Sequence, residues 1–106
     1  MPGETVIEHA TMRAGSGQEI AIAQALTAAL AVVASAEGCL GTSLLHCIER
    51  PDEFVLRVVW TSVQAHHDFR SAAIYSTYRK HLPEHLGEVV GFAHYTEIST
   101  ENGDSQ

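Results

Sequence analysis

The sequence predicts an α+β domain with the ferredoxin-like element order β-α-β-β-α-β and an antiparallel sheet. After Gly17, apolar residues recur with the 3.6-residue period of a helix. Further along, two apolar runs meet at Pro51 and Asp52, and such runs joined by a tight turn are typical of a β-hairpin. The 106 residues form a single domain. We expect its core to cover about 4–98 and a flexible tail to cover 99–106.

The first strand and the first helix are predicted on either side of Gly15-Ser16-Gly17. Residues 5–12 alternate loosely and begin with β-branched side chains, which favours a strand. Ser16 followed by Glu19 matches a capping box, in which serine and glutamate side chains satisfy free backbone amides. The helix ends by Gly38, because glycine is favourable just beyond a helix. Its apolar face consists of Ile22, Leu26, Leu30 and Val33.

The next two strands are predicted to form the hairpin. Residues 40–48 and 54–60 both alternate, so each run has an inner and an outer face. Proline presets the backbone for a turn and aspartate can cap it locally, which places the turn at Pro51 and Asp52. The inner face of the second run consists of Phe54, Leu56, Val58 and Trp60.

Two helical segments and a last strand are predicted in the C-terminal part. Thr61 with Gln64 matches a second capping box and opens a helix. Pro83 stops the next helical segment, and Gly91 precedes the final strand. The predicted segments are a helix to about residue 73, a helix over 75–82, a turn over 84–89 and a strand over 92–98.

The charge of the chain argues against one kind of partner, and its cysteines predict the compartment. Six basic and 13 acidic residues argue against nucleic acid, whose phosphates need a basic surface. Residues 20–36 carry no formal charge, but they are rich in alanine and include polar residues, so we interpret them as a helix outside the membrane. Cys39 and Cys47 would lie roughly 26 Å apart in one strand, too far for a disulfide. Unpaired thiols and the lack of a signal peptide predict a cytoplasmic protein.

One face of the predicted sheet has no helix to cover it. Helices on one side leave the other face bare, and the strands place too many apolar residues there for it to remain in water. A second copy packing sheet on sheet would cover this face. The pattern therefore predicts a homodimer.

The stretch between the first helix and the second helical region has a distinctive order. It begins Glu37-Gly38-Cys39-Leu40-Gly41, continues through the hairpin, and ends with Trp60-Thr61-Ser62 and Ala65-His66-His67. This order resembles the antibiotic biosynthesis monooxygenase (ABM) family, whose members are small dimeric α+β barrel proteins. The resemblance implies a dimer and a pocket between sheet and helices. It leaves the reaction open, because the family hosts several chemistries.

Trp60 and His66 are the residues of this stretch that can contact a substrate. In quinone-forming ABM-like oxygenases a tyrosine that positions the phenol occupies the place of His66, and an imidazole can also bond to or deprotonate a phenol. Trp60 is retained, either as an aromatic wall of the pocket or as a core anchor. Those enzymes also use an asparagine and an arginine, whose positions fall near Leu56 and at Lys80 in this chain. Lys80 can supply the cation, but a leucine cannot replace the hydrogen bonds of the asparagine.

Glu8 is the second candidate base. A carboxylate that faces an apolar pocket has a raised pKa and can accept a proton, although a solvated glutamate at a sheet edge is the alternative. Haem-degrading relatives place an asparagine, a tryptophan and a haem-ligating histidine where this chain has Glu8, Phe69 and Tyr78. Because all three differ, we expect no haem oxygenation. His81 and His85 lie four apart across Pro83, which is a weak pattern for a metal site.

The resemblance to the ABM family implies a cofactor-independent monooxygenase that acts on a polycyclic aromatic or polyketide-derived phenol. Its catalytic residues would be His66 and Glu8, with no metal and no cofactor. The residues predicted to contact the substrate are Trp60, Phe54, Phe69, Tyr78 and Lys80. Two alternatives stay open: an isomerase or cyclase that uses the same base without oxygen, and a dimeric protein that binds an apolar ligand without catalysis.

Overall fold

Four antiparallel strands form one sheet in the computed structural model, which describes residues 5–82 and 84–99. Within these residues the elements are β1 (Val6–Ala14), α1 (Glu19–Ala34), β2 (Cys39–His46), β3 (Glu53–Trp60), α2 (Val63–Ser71), α3 (Ile74–Lys80), a 3₁₀ turn (Glu84–Leu86) and β4 (Gly87–Tyr95). The strand order is β2-β3-β1-β4, so β1 and β3 are internal. The predicted α+β class and ferredoxin-like order are confirmed.

The core lies between the sheet and α1. The predicted apolar face of α1 is buried, and Ala29 is buried with it. In β3 every second residue from Phe54 to Trp60 is buried, as the alternation predicted. Each large side chain removed from water in this way stabilises the fold by roughly 1.5–3 kcal/mol.

Both predicted capping boxes are wrong, for related reasons. The turn at Gly17, with φ of +76°, delays the start of α1, so its N-cap is Gln18 and no side chain caps it. At α2 the backbone amide of Thr61 still donates to the Gly38 carbonyl at 2.9 Å. The N-cap is therefore Ser62, whose hydroxyl accepts from the Ala65 amide at 3.0 Å.

The last strand begins five residues earlier than predicted, at Gly87 rather than residue 92. Gly91 does not precede this strand but lies within it, opposite Thr11 and next to a register shift. Glycine is required at position 87, because a β-carbon there would meet Ile22 Cδ1 at 2.6 Å as well as the Arg13 carbonyl. The predicted tail lies outside the described residues, apart from Ser99.

The other element boundaries move by a few residues. β2 ends at His46 rather than residue 48, and the register shift at its start leaves Leu40 exposed. α2 ends at Ser71 because Ala72 is extended. Cys39 and Cys47 are both free thiols, as predicted. Over the described ranges, no helix is long and apolar enough to cross a bilayer.

Candidate functional site

A cavity of about 270 Å³ lies between the sheet and the helices. Its walls are mainly apolar, and they include Leu30, Leu56, Val58, Phe69 and Phe92. A larger cavity of about 500 Å³ adjoins it and shares Tyr75, Tyr78 and Val89. We place the candidate site in the smaller cavity, because the buried ionisable groups lie there.

Glu8 projects into this cavity from the internal strand β1. Only 7% of the residue is exposed, and it lies between Val58 of β3 and His94 of β4. The indole Nε1–H of Trp60 donates to Glu8 Oε1 at 2.8 Å. Burial raises the pKa of Glu8, and the Trp60 hydrogen bond counteracts part of that increase. The solvated edge glutamate is excluded, because β1 has a neighbouring strand on each side.

His66 approaches Glu8 from α2. The Ser62 cap starts α2 directly after β3, and His66 then lies on the buried side of the helix while His67 is exposed. The His66 ring stacks on the Trp60 ring, with 5.2 Å between the ring centroids and an interplanar angle of 14°. His66 Nε2 lies 3.5 Å from Glu8 Oε1. Burial, with a smaller contribution from His94, lowers the pKa of His66 to about 4, so the imidazole is neutral near pH 7.

Three aromatic residues complete the inner wall. Trp60 is fully buried and lines the cavity, so it is at once a core residue and a site residue. Phe69 packs against it at 5.6 Å, and Tyr78 packs edge-on against Phe69 at 5.4 Å. Burial, together with the Glu8 charge, raises the pKa of Tyr78 to about 12. Tyr78 therefore keeps its phenolic proton at neutral pH.

Two predicted substrate contacts, Phe54 and Lys80, lie away from the cavity. Phe54 is on the correct face of β3, but six residues of extended chain, about 20 Å, separate it from Trp60. There it stacks on His46 at 4.4 Å. Lys80 is exposed at the last residue of α3 and does not line the cavity. Glu8, Trp60, His66, Phe69 and Tyr78 do line it.

Two residues near Glu8 and His66 were not predicted, namely His94 and Arg70. His94 Nε2 lies 2.9 Å from His66 Nδ1. Its position depends on the register that sets Glu8 against His94, and nothing in the local sequence of β4 specifies that register. Arg70 lines the cavity four residues after His66, so helical spacing could have indicated it.

Within the described residues, no group of three His, Cys, Asp or Glu side chains is arranged to hold a metal ion. His81 and His85 do not share a helix face. His81 caps the end of α3, whereas His85 belongs to the separate 3₁₀ turn.

Known families and structures resemble this chain along most of its length. The family model described as antibiotic biosynthesis monooxygenase matches residues 5–81. A structure from Bordetella bronchiseptica, named after the same family, is 28% identical, covers 92% of this chain and 100% of its own, and has a TM-score of 0.82. A comparison with curated proteins finds no match.

Two more distant structures share the fold. SnoaB from Streptomyces nogalater, a cofactor-independent oxygenase, is 16% identical, with 93% and 98% coverage of the two chains and a TM-score of 0.79. A structure from Chloroflexus aurantiacus, also named after the ABM family, is 19% identical, with 92% and 97% coverage and a TM-score of 0.72. At these identities the likeness concerns the fold alone.

Proposed function

The chain belongs to the antibiotic biosynthesis monooxygenase family, and from that membership we propose that it is a cofactor-independent monooxygenase. Its substrate is a polycyclic aromatic or polyketide-derived phenol bound in the apolar cavity. The observation that carries the proposal is the contact of Glu8 with Trp60 and His66 inside that cavity. This contact provides a base next to flat aromatic walls.

Glu8 is the base in the proposed reaction. Its pKa is raised by burial, so it binds a proton more strongly than an ordinary carboxylate. His66, with a pKa of about 4, is the weaker base, and its Nε2 lies beside the Glu8 carboxylate at 3.5 Å. Both contacts use Glu8 Oε1, so Oε2 takes the phenolic proton. The Trp60 N–H holds the carboxylate in place while it does so.

Removal of the proton makes the substrate able to react with oxygen directly. The negative charge of the phenolate spreads to a ring carbon, which forms a C–O bond to O₂ and yields a peroxide anion. The peroxide takes up the proton held by Glu8. Loss of the remaining C–H proton then breaks the O–O bond and leaves a ring carbonyl and water. One oxygen atom enters the product, the other is reduced to water, and the substrate supplies all four electrons.

The proposal is tested by oxygen consumption. Purified, metal-free protein is incubated with anthrone-type phenols in an oxygen electrode, and quinone formation is followed by absorbance. We expect one O₂ consumed per quinone formed, at a rate proportional to protein concentration and unchanged by chelators. Uptake no faster than in buffer with heat-denatured protein would contradict the proposal.

Leu56 favours a second candidate, an isomerase or cyclase that needs no oxygen. This buried leucine lines the cavity near the position where quinone-forming relatives have an asparagine, and it cannot hydrogen-bond a peroxide. The same Glu8 base would then only move a proton within the substrate. Turnover that persists under anaerobic conditions would identify this reaction. Stabilisation of the protein by the phenol without any product would instead indicate a binding protein.

We also propose that the protein is a cytoplasmic homodimer paired through the helix-free face of the sheet. Cross-strand pairs place Ile7 beside Val59 and Tyr95, and Leu45 beside Val55, so apolar residues lie together on that face. Tyr95 and Leu45 remain 51% and 43% exposed in the single chain. A two-fold partner would remove this patch from water. The two free thiols support the cytoplasmic location.

Sedimentation velocity is expected to show a dimer at micromolar concentration. Val59→Asp places a charge on the helix-free face beside Ile7, within the apolar patch, so this variant is expected to be monomeric. Ile20→Asp is the matched control, because Ile20 is 77% exposed in the first turn of α1, where a negative charge is favourable. A monomeric parent protein, or a dimeric Val59→Asp variant, would disprove the interface.

A further inference from the structure

We propose that His94 is a positioning residue that sets the tautomer of His66 and thereby directs the His66 Nε2–H to the Glu8 carboxylate. The inference rests on the proposed role of Glu8 as base. It adds to that role a chain of contacts that links the cavity to β4. Glu8 on β1, His66 on α2 and His94 on β4 are its three members.

A single proton lies between the facing ring nitrogens of His66 and His94. His66 Nδ1 and His94 Nε2 are 2.9 Å apart, which is a hydrogen-bond distance. Such a contact needs one proton, because two N–H groups would repel each other and so would two lone pairs. One histidine is therefore the donor at this contact and the other is the acceptor.

The Glu8 carboxylate decides which histidine donates. An ionised carboxylate only accepts, and Glu8 Oε1 has His66 Nε2 at 3.5 Å in addition to the Trp60 N–H. His66 stabilises the anion when its proton is on Nε2. A neutral imidazole has a single N–H, so Nδ1 is then the acceptor. His94 Nε2–H is consequently the donor.

Burial, assisted by neighbouring positive charges, keeps His66 in the neutral form, so its single proton lies on one nitrogen or the other. The groups facing it are Glu8 on β1, Arg70 and His67 on α2, and His94 on β4. Burial lowers the pKa of His66 to about 4, and the positive charges of its histidine and arginine neighbours act in the same direction. His94 is half-buried, so its remaining ring nitrogen can exchange protons with water without disturbing the donor.

Without the His94 donor, His66 can carry its proton on either nitrogen. In the Nδ1–H form a lone pair would face Glu8 Oε1 and disfavour the carboxylate that accepts the substrate proton. An incorrect tautomer of a catalytic histidine is known to reduce turnover strongly. We expect His94→Ala to lower kcat by about 10-fold or more, with little change in KM, because His94 does not line the cavity.

The tautomer is measured first, because this measurement needs no substrate. Long-range ¹⁵N–¹H correlation spectra of the histidine-labelled protein at pH 7 are expected to show His66 protonated at Nε2. His94→Ala should convert that signal to a mixture of tautomers. His94→Gln should restore it, because the glutamine amide can donate to Nδ1. His85→Ala, an exposed histidine away from the cavity, is the matched control.

Kinetics then separate this inference from the proposed function. His94→Gln is expected to retain kcat within about threefold while His94→Ala does not. A His66 signal with the proton on Nδ1, or one unchanged in His94→Ala, would overturn the positioning role even if the parent enzyme is active. An inactive parent protein with the expected tautomers would refute the oxygenase reaction and retain the histidine arrangement.

Discussion

Glu8→Gln is expected to lower substrate-dependent oxygen uptake at least 100-fold, which is the contribution of a typical general base. Glutamine has the same shape, and its side-chain oxygen can still accept the Trp60 N–H that now contacts Glu8 Oε1. It has no basic site for the phenolic proton. The variant therefore removes the proposed chemistry and leaves the packing of the cavity intact.

The pH dependence distinguishes loss of the base from loss of structure. In the parent protein Glu8 must be ionised to accept the proton, so kcat should increase with pH. Because burial raises the Glu8 pKa, this ascending limb of the pH–rate profile should lie at higher pH than for an ordinary glutamate. For stability the sign is opposite. A raised folded-state pKa favours the neutral acid, and that stabilisation is lost as the pH rises through it. Glu8→Gln should thus be more stable than the parent at pH 8, with a smaller difference at pH 4.

Oxygen uptake and thermal unfolding of parent and variant provide these measurements. Glu97→Gln is the matched control, because Glu97 is exposed near the C-terminal end of the described chain. It should change neither the rate nor the pH profile. An active Glu8→Gln variant would rule out Glu8 as the base, and a variant less stable than the parent at pH 8 would contradict the predicted cost of burying the ionised carboxylate.

Trp60→Phe is expected to destabilise the protein by roughly 2–3 kcal/mol. It is also expected to shift the ascending limb of the pH–rate profile to higher pH. Trp60 is fully buried, so the smaller ring leaves a void where the indole packed. The Nε1–H donor to Glu8 Oε1 is lost as well, leaving the carboxylate with one fewer partner. Since that hydrogen bond lowers the Glu8 pKa, removing it raises the pKa further.

Phe54→Leu separates general loss of packing from loss of the hydrogen bond. Phe54 lies on the same face of β3 and is 3% exposed, but it does not line the cavity. We expect it to lower the free energy of unfolding in urea by about 1–2 kcal/mol without moving the pH limb. A limb that shifts equally in both variants, or in neither, would show that Trp60 does not tune Glu8.

Local patterns in the sequence were sufficient for the fold because they report short-range geometry. The helical period of α1 and the alternation of β3 correctly identified the buried faces. The errors at Ser16 and Thr61 arose because a capping motif requires a particular backbone at its first residue. The turn at Gly17 and the bond from Thr61 to Gly38 exclude that backbone.

Five of the seven predicted site residues line the cavity, and the positions of the other two have geometric causes. Alternation assigns Phe54 and Trp60 to one face of β3 but does not indicate which of them lies at the cavity, and Phe54 does not line it. Lys80 was predicted because it falls where quinone-forming relatives have an arginine, but it is the last residue of α3 and is exposed. The burial of Glu8 remained ambiguous, because the sequence of one strand does not reveal whether that strand has a neighbour on each side in the sheet.

The sequence by itself therefore determined the buried faces of α1 and β3, the order of the elements and the family. Only the tertiary structure decided which side chains meet. Glu8 and Trp60 are 52 residues apart, and His66 and His94 are 28 apart. Such contacts depend on strand order and register and on the angle at which α2 leaves β3. These are set by the packing of the whole chain, because no local pattern distinguishes one register from its neighbour two residues away.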